Sequence, residues 1–124
     1  MILNHANLPV PDVAALRDFL ASHFGFTVLE TRGQDAMSVL QDEAGFVLTL
    51  MKSRESDGPS GYPGTFHVGF LVHDVESVRA KHAELAAAGH AVGAAEEIRR
   101  GGRRSFTFYC PAPGGVLVEV TAAR

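Results

Sequence analysis

The chain has 124 residues, about one domain's worth, of which 46% are hydrophobic and 20% charged. That balance excludes a disordered tail, a collagen-like repeat and a charge-driven polymer, and no apolar run approaches the roughly 18 residues of a membrane helix. A net charge of −3 argues against nucleic acid as a partner, because phosphate binding wants a basic surface.

Met1-Ile2-Leu3-Asn4-His5 has no basic flank and meets Pro9 too early for a signal peptide. Ile2 to Leu8 reads as the first strand. Pro11-Asp12 opens a helix with Asp12 as N-cap; Val13, Leu16, Phe19, Leu20 and Phe24 recur at helical spacing, and Gly25 stops it. Strands follow at Phe26 to Thr31, Met37 to Gln41 and Phe46 to Met51, parted by Gly33-Gln34-Asp35 and Asp42-Glu43-Ala44-Gly45. The Ser-, Gly- and Pro-rich stretch 53–64 reads as a linker. Phe66 to Val72 is the next strand. Asp74 caps a second helix with Val75, Val78, His82 and Leu85 as its stripe and Ala86-Ala87-Ala88 before Gly89. The last strands are Ala91 to Ala94, Ser105 to Tyr109 and Val116 to Thr121, with turns at Gly101-Gly102 and Pro113-Gly114-Gly115.

The order is strand, helix, three strands, twice over. Val10-Pro11-Asp12-Val13 returns as Val72-His73-Asp74-Val75, and His5 returns as His67, both at an offset of 62. Gly45-Phe46-Val47-Leu48 answers Gly115-Val116-Leu117-Val118 at an offset of 70, so the second unit is longer by eight. The expectation is one α+β domain over 1–124, built from tandem βαβββ modules at 1–52 and 65–124.

Alternate strand residues share a face. Phe66, Val68, Phe70 and Val72 form an apolar row, as do Val116, Val118 and Val120, and both suit packing under a helix. The opposite rows hold His67 and Glu119. A carboxylate inside an apolar strand needs a partner unless the strand is an edge open to water. A lone sheet histidine is either satisfied in place or a ligand. His5 and His67 occupy equivalent repeat positions, and with Glu119 they supply two imidazoles and one carboxylate, the donor set of a divalent transition-metal site with open positions.

The segments Asn4-His5-Ala6-Asn7-Leu8, Phe66-His67-Val68-Gly69-Phe70 and Phe108-Tyr109-Cys110-Pro111-Ala112-Pro113-Gly114-Gly115-Val116-Leu117-Val118-Glu119 resemble the vicinal oxygen chelate superfamily. That superfamily includes glyoxalase I, extradiol dioxygenases, fosfomycin resistance enzymes and bleomycin resistance proteins. The resemblance spans essentially the whole chain. It implies a half-open mixed-sheet barrel of two βαβββ modules, with His5, His67 and Glu119 as ligands to Fe, Mn, Ni or Zn. The family's fourth ligand position falls on Thr49, where glyoxalase I enzymes place Glu or Gln, so this chain departs from that pattern. Tyr109 falls where many members place a substrate-facing tyrosine; its alternative role is to pack its ring in the sheet. His23, His73, His82 and His90 read as surface or structural residues, with no counterparts to the second histidine shell of ring-cleaving enzymes.

Arg99-Arg100-Gly101-Gly102-Arg103-Arg104 is the only basic cluster. It reads as a solvated hairpin loop or as a lid over an anionic substrate, with Arg103 sharing the face of Ser105 and Tyr109. Asn7, Thr49, Arg103 and Ser105 are the expected substrate-binding residues. Cys110, the only cysteine, falls on the helix-packed face as an inert thiol; no intrachain disulfide is possible, and a reducing cytoplasm is the expected compartment. The expected function is that of a small metal-dependent enzyme, of lyase, transferase or dioxygenase type, chelating neighbouring oxygens of a small substrate. The alternatives are a metal-free drug-binding protein of the bleomycin resistance type and a domain whose histidines are structural. A homodimer is expected, with no membrane partner and with the ligands drawn from one chain or shared between two.

Overall fold

Asp12 and Asp74 begin the helices as their sequence settings require. In the computed structural model, which describes residues 1–54 and 61–124, the Asp12 carboxylate accepts from the Ala15 amide at 3.0 Å and that of Asp74 from the Ser77 amide at 2.8 Å. Each satisfies a backbone donor that the first helical turn leaves open. The Ser77 hydroxyl also donates to Asp74, and these bonds, the hydroxyl's foremost, hold the Asp74 carboxyl below its ordinary range. The helices are α1 (Val13–His23) and α2 (Val75–Ala87). No helix among the described residues is long and apolar enough to cross a membrane.

The chain forms two compact units, Met1–Gly61 with Pro113–Gly115 and Tyr62–Ala112 with Val116–Arg124. Residues 55–60 of the expected 53–64 linker lie outside the described residues. Unit 1 holds α1 and the strands β1 (His5–Val10), β2 (Thr27–Arg32), β3 (Met37–Gln41) and β4 (Val47–Lys52), in sheet order β1-β4-β3-β2. Unit 2 holds α2 and β5 (His67–Leu71), β6 (Glu96–Arg100), β7 (Arg103–Pro111) and β8 (Leu117–Ala123), in order β5-β8-β7-β6. In each unit the first strand runs parallel to the last and the other pairings are antiparallel. The tandem βαβββ reading of the sequence is thus the observed architecture.

The rows divide by face as the alternation requires. Leu8, Val10, Leu40, Leu48 and Leu50 are buried with α1 residues Val13, Leu16, Phe19 and Leu20. In unit 2, Phe106, Phe108, Cys110, Val118, Val120 and Ala122 are buried with Val78 and Leu85 of α2. Burial pushes the Cys110 thiol up, which suits an inert core residue. His82 of α2 is structural: its Nε2 lies 2.9 Å from the Gly93 carbonyl, and its ring meets Phe108 edge-on at 5.1 Å.

Two strands depart most from the sequence reading, while the other ends shift by no more than two residues. The first strand begins at His5, and Met1, Ile2 and Leu3 are exposed. Apolar composition alone extends it further, whereas the ladder to β4 starts with the Val47 amide donating to the Asn4 carbonyl. The sixth strand is Glu96–Arg100, not Ala91 to Ala94. Its charged side chains belong to an edge strand, where apolar alternation is weak and charge keeps the edge soluble. The residues expected there contribute one bond to β7, from the Gly93 amide to the Tyr109 carbonyl at 2.8 Å. A Cβ at Gly93 would lie 3.1 Å from that carbonyl oxygen, so this close approach favours glycine.

Candidate metal and substrate site

The parallel pairing of β5 with β8 sets His67 opposite Leu117 and Gly69 opposite Glu119; β7 then brings Tyr109 opposite Glu119. Gly69 has no side chain to fill its place in that row, and the His67 ring lies diagonally toward the carboxylate. The Nε2 of His67 lies 3.0 Å from Oε2 of Glu119, with the Glu119 side chain 16% exposed and that of His67 34%. The Tyr109 ring meets His67 edge-on at 5.6 Å. Three of the residues selected from the sequence therefore come together on the face away from α2.

The far side of the His67 ring bears on which nitrogen carries hydrogen. Nδ1 is 3.0 Å from the Thr65 carbonyl, which only accepts, so Nδ1 carries hydrogen. With a neutral ring, Nε2 then presents a lone pair to a carboxylate oxygen. That approach is favourable only when a cation is shared there, either a proton or a metal ion. A backbone carbonyl holding the remote nitrogen is also the usual support of a ligating histidine. An imidazole nitrogen and a carboxylate oxygen held 3.0 Å apart are donors of the kind that a divalent transition metal would take. The pair fits a divalent ion as two of its donors.

Within neither unit do three described His, Cys, Asp and Glu side chains form a group able to hold a metal. Unit 2 holds two such side chains together, His67 and Glu119. In unit 1, His5 stands at the start of β1, exposed, opposite Val47, with Nδ1 2.7 Å from Asn4 Oδ1. Asn7, Thr49 and Val39 form the next row. His5 and Thr49 thus hold in their sheet the places that His67 and Glu119 hold in theirs.

Beyond Tyr109 the face continues as a track of hydroxyls. Thr107 and Thr121 are opposite one another with Oγ atoms 2.6 Å apart, and Thr107 lies 3.3 Å from Ser105. The sequence reading selects Ser105 and passes over Thr107 and Thr121, although the same alternation places them in this row. Arg103 lies six residues from Tyr109, roughly 20 Å along an extended strand.

The model of the Glyoxalase/Bleomycin resistance protein/Dioxygenase superfamily matches residues 2–120. The chain belongs to that superfamily. A solved structure described as a possible glyoxalase from Bacillus cereus is 42% identical, covers 97% of each chain and superposes with a TM-score of 0.82. Lactoylglutathione lyase from Agrobacterium tumefaciens is 21% identical over 98% of this chain and 92% of its own, with a TM-score of 0.75. The fosfomycin resistance protein FosX from Listeria monocytogenes is also 21% identical, over 100% of this chain and 94% of its own, at a TM-score of 0.73. The last two share the fold. No protein of curated function matches the chain.

Proposed function

We propose that this chain is a metal-dependent enzyme of its superfamily, holding one divalent ion on His5, His67 and Glu119 and acting on a small molecule with two neighbouring oxygens. The observation that carries the reading is the His67–Glu119 contact at 3.0 Å, with the other ring nitrogen tied to Thr65. His5 is the third donor by its equivalent place in β1, and a homodimer is the expected assembly. A bound divalent ion supplies Lewis-acid stabilisation of negative charge on substrate oxygens. Glu119 provides the one charged ligand, and the Thr65 carbonyl keeps Nε2 of His67 free to ligate. Thr49 is a neutral hydroxyl that competes poorly with water, so the site keeps open positions and is not that of a typical glyoxalase I.

The Tyr109 hydroxyl is the proton donor of this face. Its ring is fixed against His67, within the row of Glu119. Tyr109→Phe keeps that packing and removes the donor. The expected result is unchanged metal content with turnover reduced by about 100-fold; equal loss of metal would assign the tyrosine a structural role instead.

Metal analysis of protein purified without added metal tests the proposal. One equivalent of a divalent transition metal is expected in wild type and a small fraction in His67→Ala. Metal-free wild type that also fails to take up Mn, Fe, Ni or Zn on addition would turn the reading to a metal-free binding protein.

A further inference from the structure

The basic cluster of the sequence is divided by the β6–β7 hairpin into two pairs with different fates. Gly101 and Gly102 have φ of +58° and +74°, the signs a two-residue type I′ turn requires at both central positions. The turn fixes the register, which sets Arg99 opposite Arg104 and Arg100 opposite Arg103. Like charges directly opposite are unfavourable in a sheet. The first pair is compensated. Glu97 accepts from Arg104 through both oxygens at 2.9 Å, pairs with Arg124 at 3.2 Å and has Arg99 at 3.7 Å. The hydrogen bond from Arg104 is the main reason that the Glu97 carboxyl is held below its ordinary range.

The second pair has no such partner among the described residues. Among the described residues, neither Arg100 nor Arg103 has an ion pair or hydrogen bond from its side chain, and both residues are exposed. Alternation puts them on the face of Ser105, Thr107 and Tyr109, opposite to that of Glu97 and Phe106. The carboxylate of β6 on this face is Glu96, four residues from Arg100, roughly 13 Å along the strand. Two arginines on directly opposed positions, without a described counter-charge, offer the guanidinium donors that planar anions take.

We propose that Arg100 and Arg103 form an anion-binding subsite for the carboxylate or phosphate of an extended substrate, whose other end reaches His67 and Glu119. The far end of that substrate rests on the function proposed above; the anion subsite itself does not. Ser105 and Thr121, each part-buried, lie between the two ends, with buried Thr107 bonded to both.

Titration calorimetry of the whole chain with inorganic phosphate and, in a separate arm, acetate tests this. Wild type is expected to bind at least one of them, and Arg100→Gln with Arg103→Gln to weaken that binding by about tenfold or more. Arg99→Gln with Arg124→Gln, on the compensated side, should leave it within about twofold. Preference for phosphate assigns a phosphorylated substrate end, and preference for acetate a carboxylate. Arg103→Glu gives a second reading: it should raise the thermal midpoint at low salt by setting a carboxylate opposite Arg100, and abolish the gain that the bound anion gives wild type. No binding of either anion by wild type, or equal losses in the two double variants, would overturn the subsite. His67→Ala should leave anion binding unchanged. Anion binding that follows Arg100 and Arg103 in a chain that takes up no metal would leave the subsite standing and remove the metal reading alone.

Discussion

Glu119→Gln is expected to weaken divalent-metal binding by about 100-fold or more, whereas Thr49→Ala should change it by no more than about threefold. Loss of a residue that only supports a ligand already costs about 10- to 100-fold, so loss of the one charged ligand should reach at least that. The substitution is nearly isosteric. It preserves the β8 ladder and the space opposite Gly69, and it removes the carboxylate from Nε2 of His67. Thr49 has the equivalent place in unit 1, opposite Asn7, but offers only a neutral hydroxyl. Competition with a chromophoric chelator measures both variants on one scale. Equal losses would show the ligand set to be wrong, and no loss in Glu119→Gln would favour a metal-free binding protein.

Phe108→Ala should cost about 3–5 kcal/mol of stability, a large share of the roughly 5–15 kcal/mol that holds a domain folded. Phe108 is fully buried, pairs with Val120 and makes a T-shaped contact with the His82 ring at 5.1 Å. Alanine would leave a cavity beneath α2 that His82 cannot fill while its ring stays bonded to the Gly93 carbonyl. The midpoint of urea denaturation should fall with little change in slope. A loss below about 1 kcal/mol would mean that α2 collapses onto the sheet and refills the space. Tyr109, the next residue, faces the other side, so the same variant should disturb the site far less than it disturbs the fold.

The helices were legible because their caps are local: Asp12 and Asp74 bond amides three residues ahead, within the reach of sequence spacing. The repeat was legible for a different reason. Its offsets of 62 and 70 correspond to matching parallel registers, His5 with Val47 and His67 with Leu117. The strand Glu96–Arg100 was hidden because an edge strand stabilised by cross-strand charge carries no apolar rhythm. Ile2 and Leu3 misled in the opposite direction, being apolar without a strand partner.

At the site, alternation alone placed His67, Glu119 and Tyr109 on one face. Their contact depends on pairings between β5, β8 and β7, which a single strand does not encode. The Thr65 carbonyl could not be read from sequence, since any residue supplies one. The separation of Arg100 and Arg103 from Arg99 and Arg104 follows from the turn at Gly101-Gly102. That no described carboxylate pairs with Arg100 or Arg103 emerges only once Glu97 is seen to serve the other face.

X-ray absorption at the metal edge of the nickel-loaded protein counts imidazole ligands directly. Two imidazoles are expected in wild type, and one in either His5→Ala or His67→Ala. A spectrum without imidazole scattering, or one left unchanged by His67→Ala, would contradict a metal centre built on His5, His67 and Glu119.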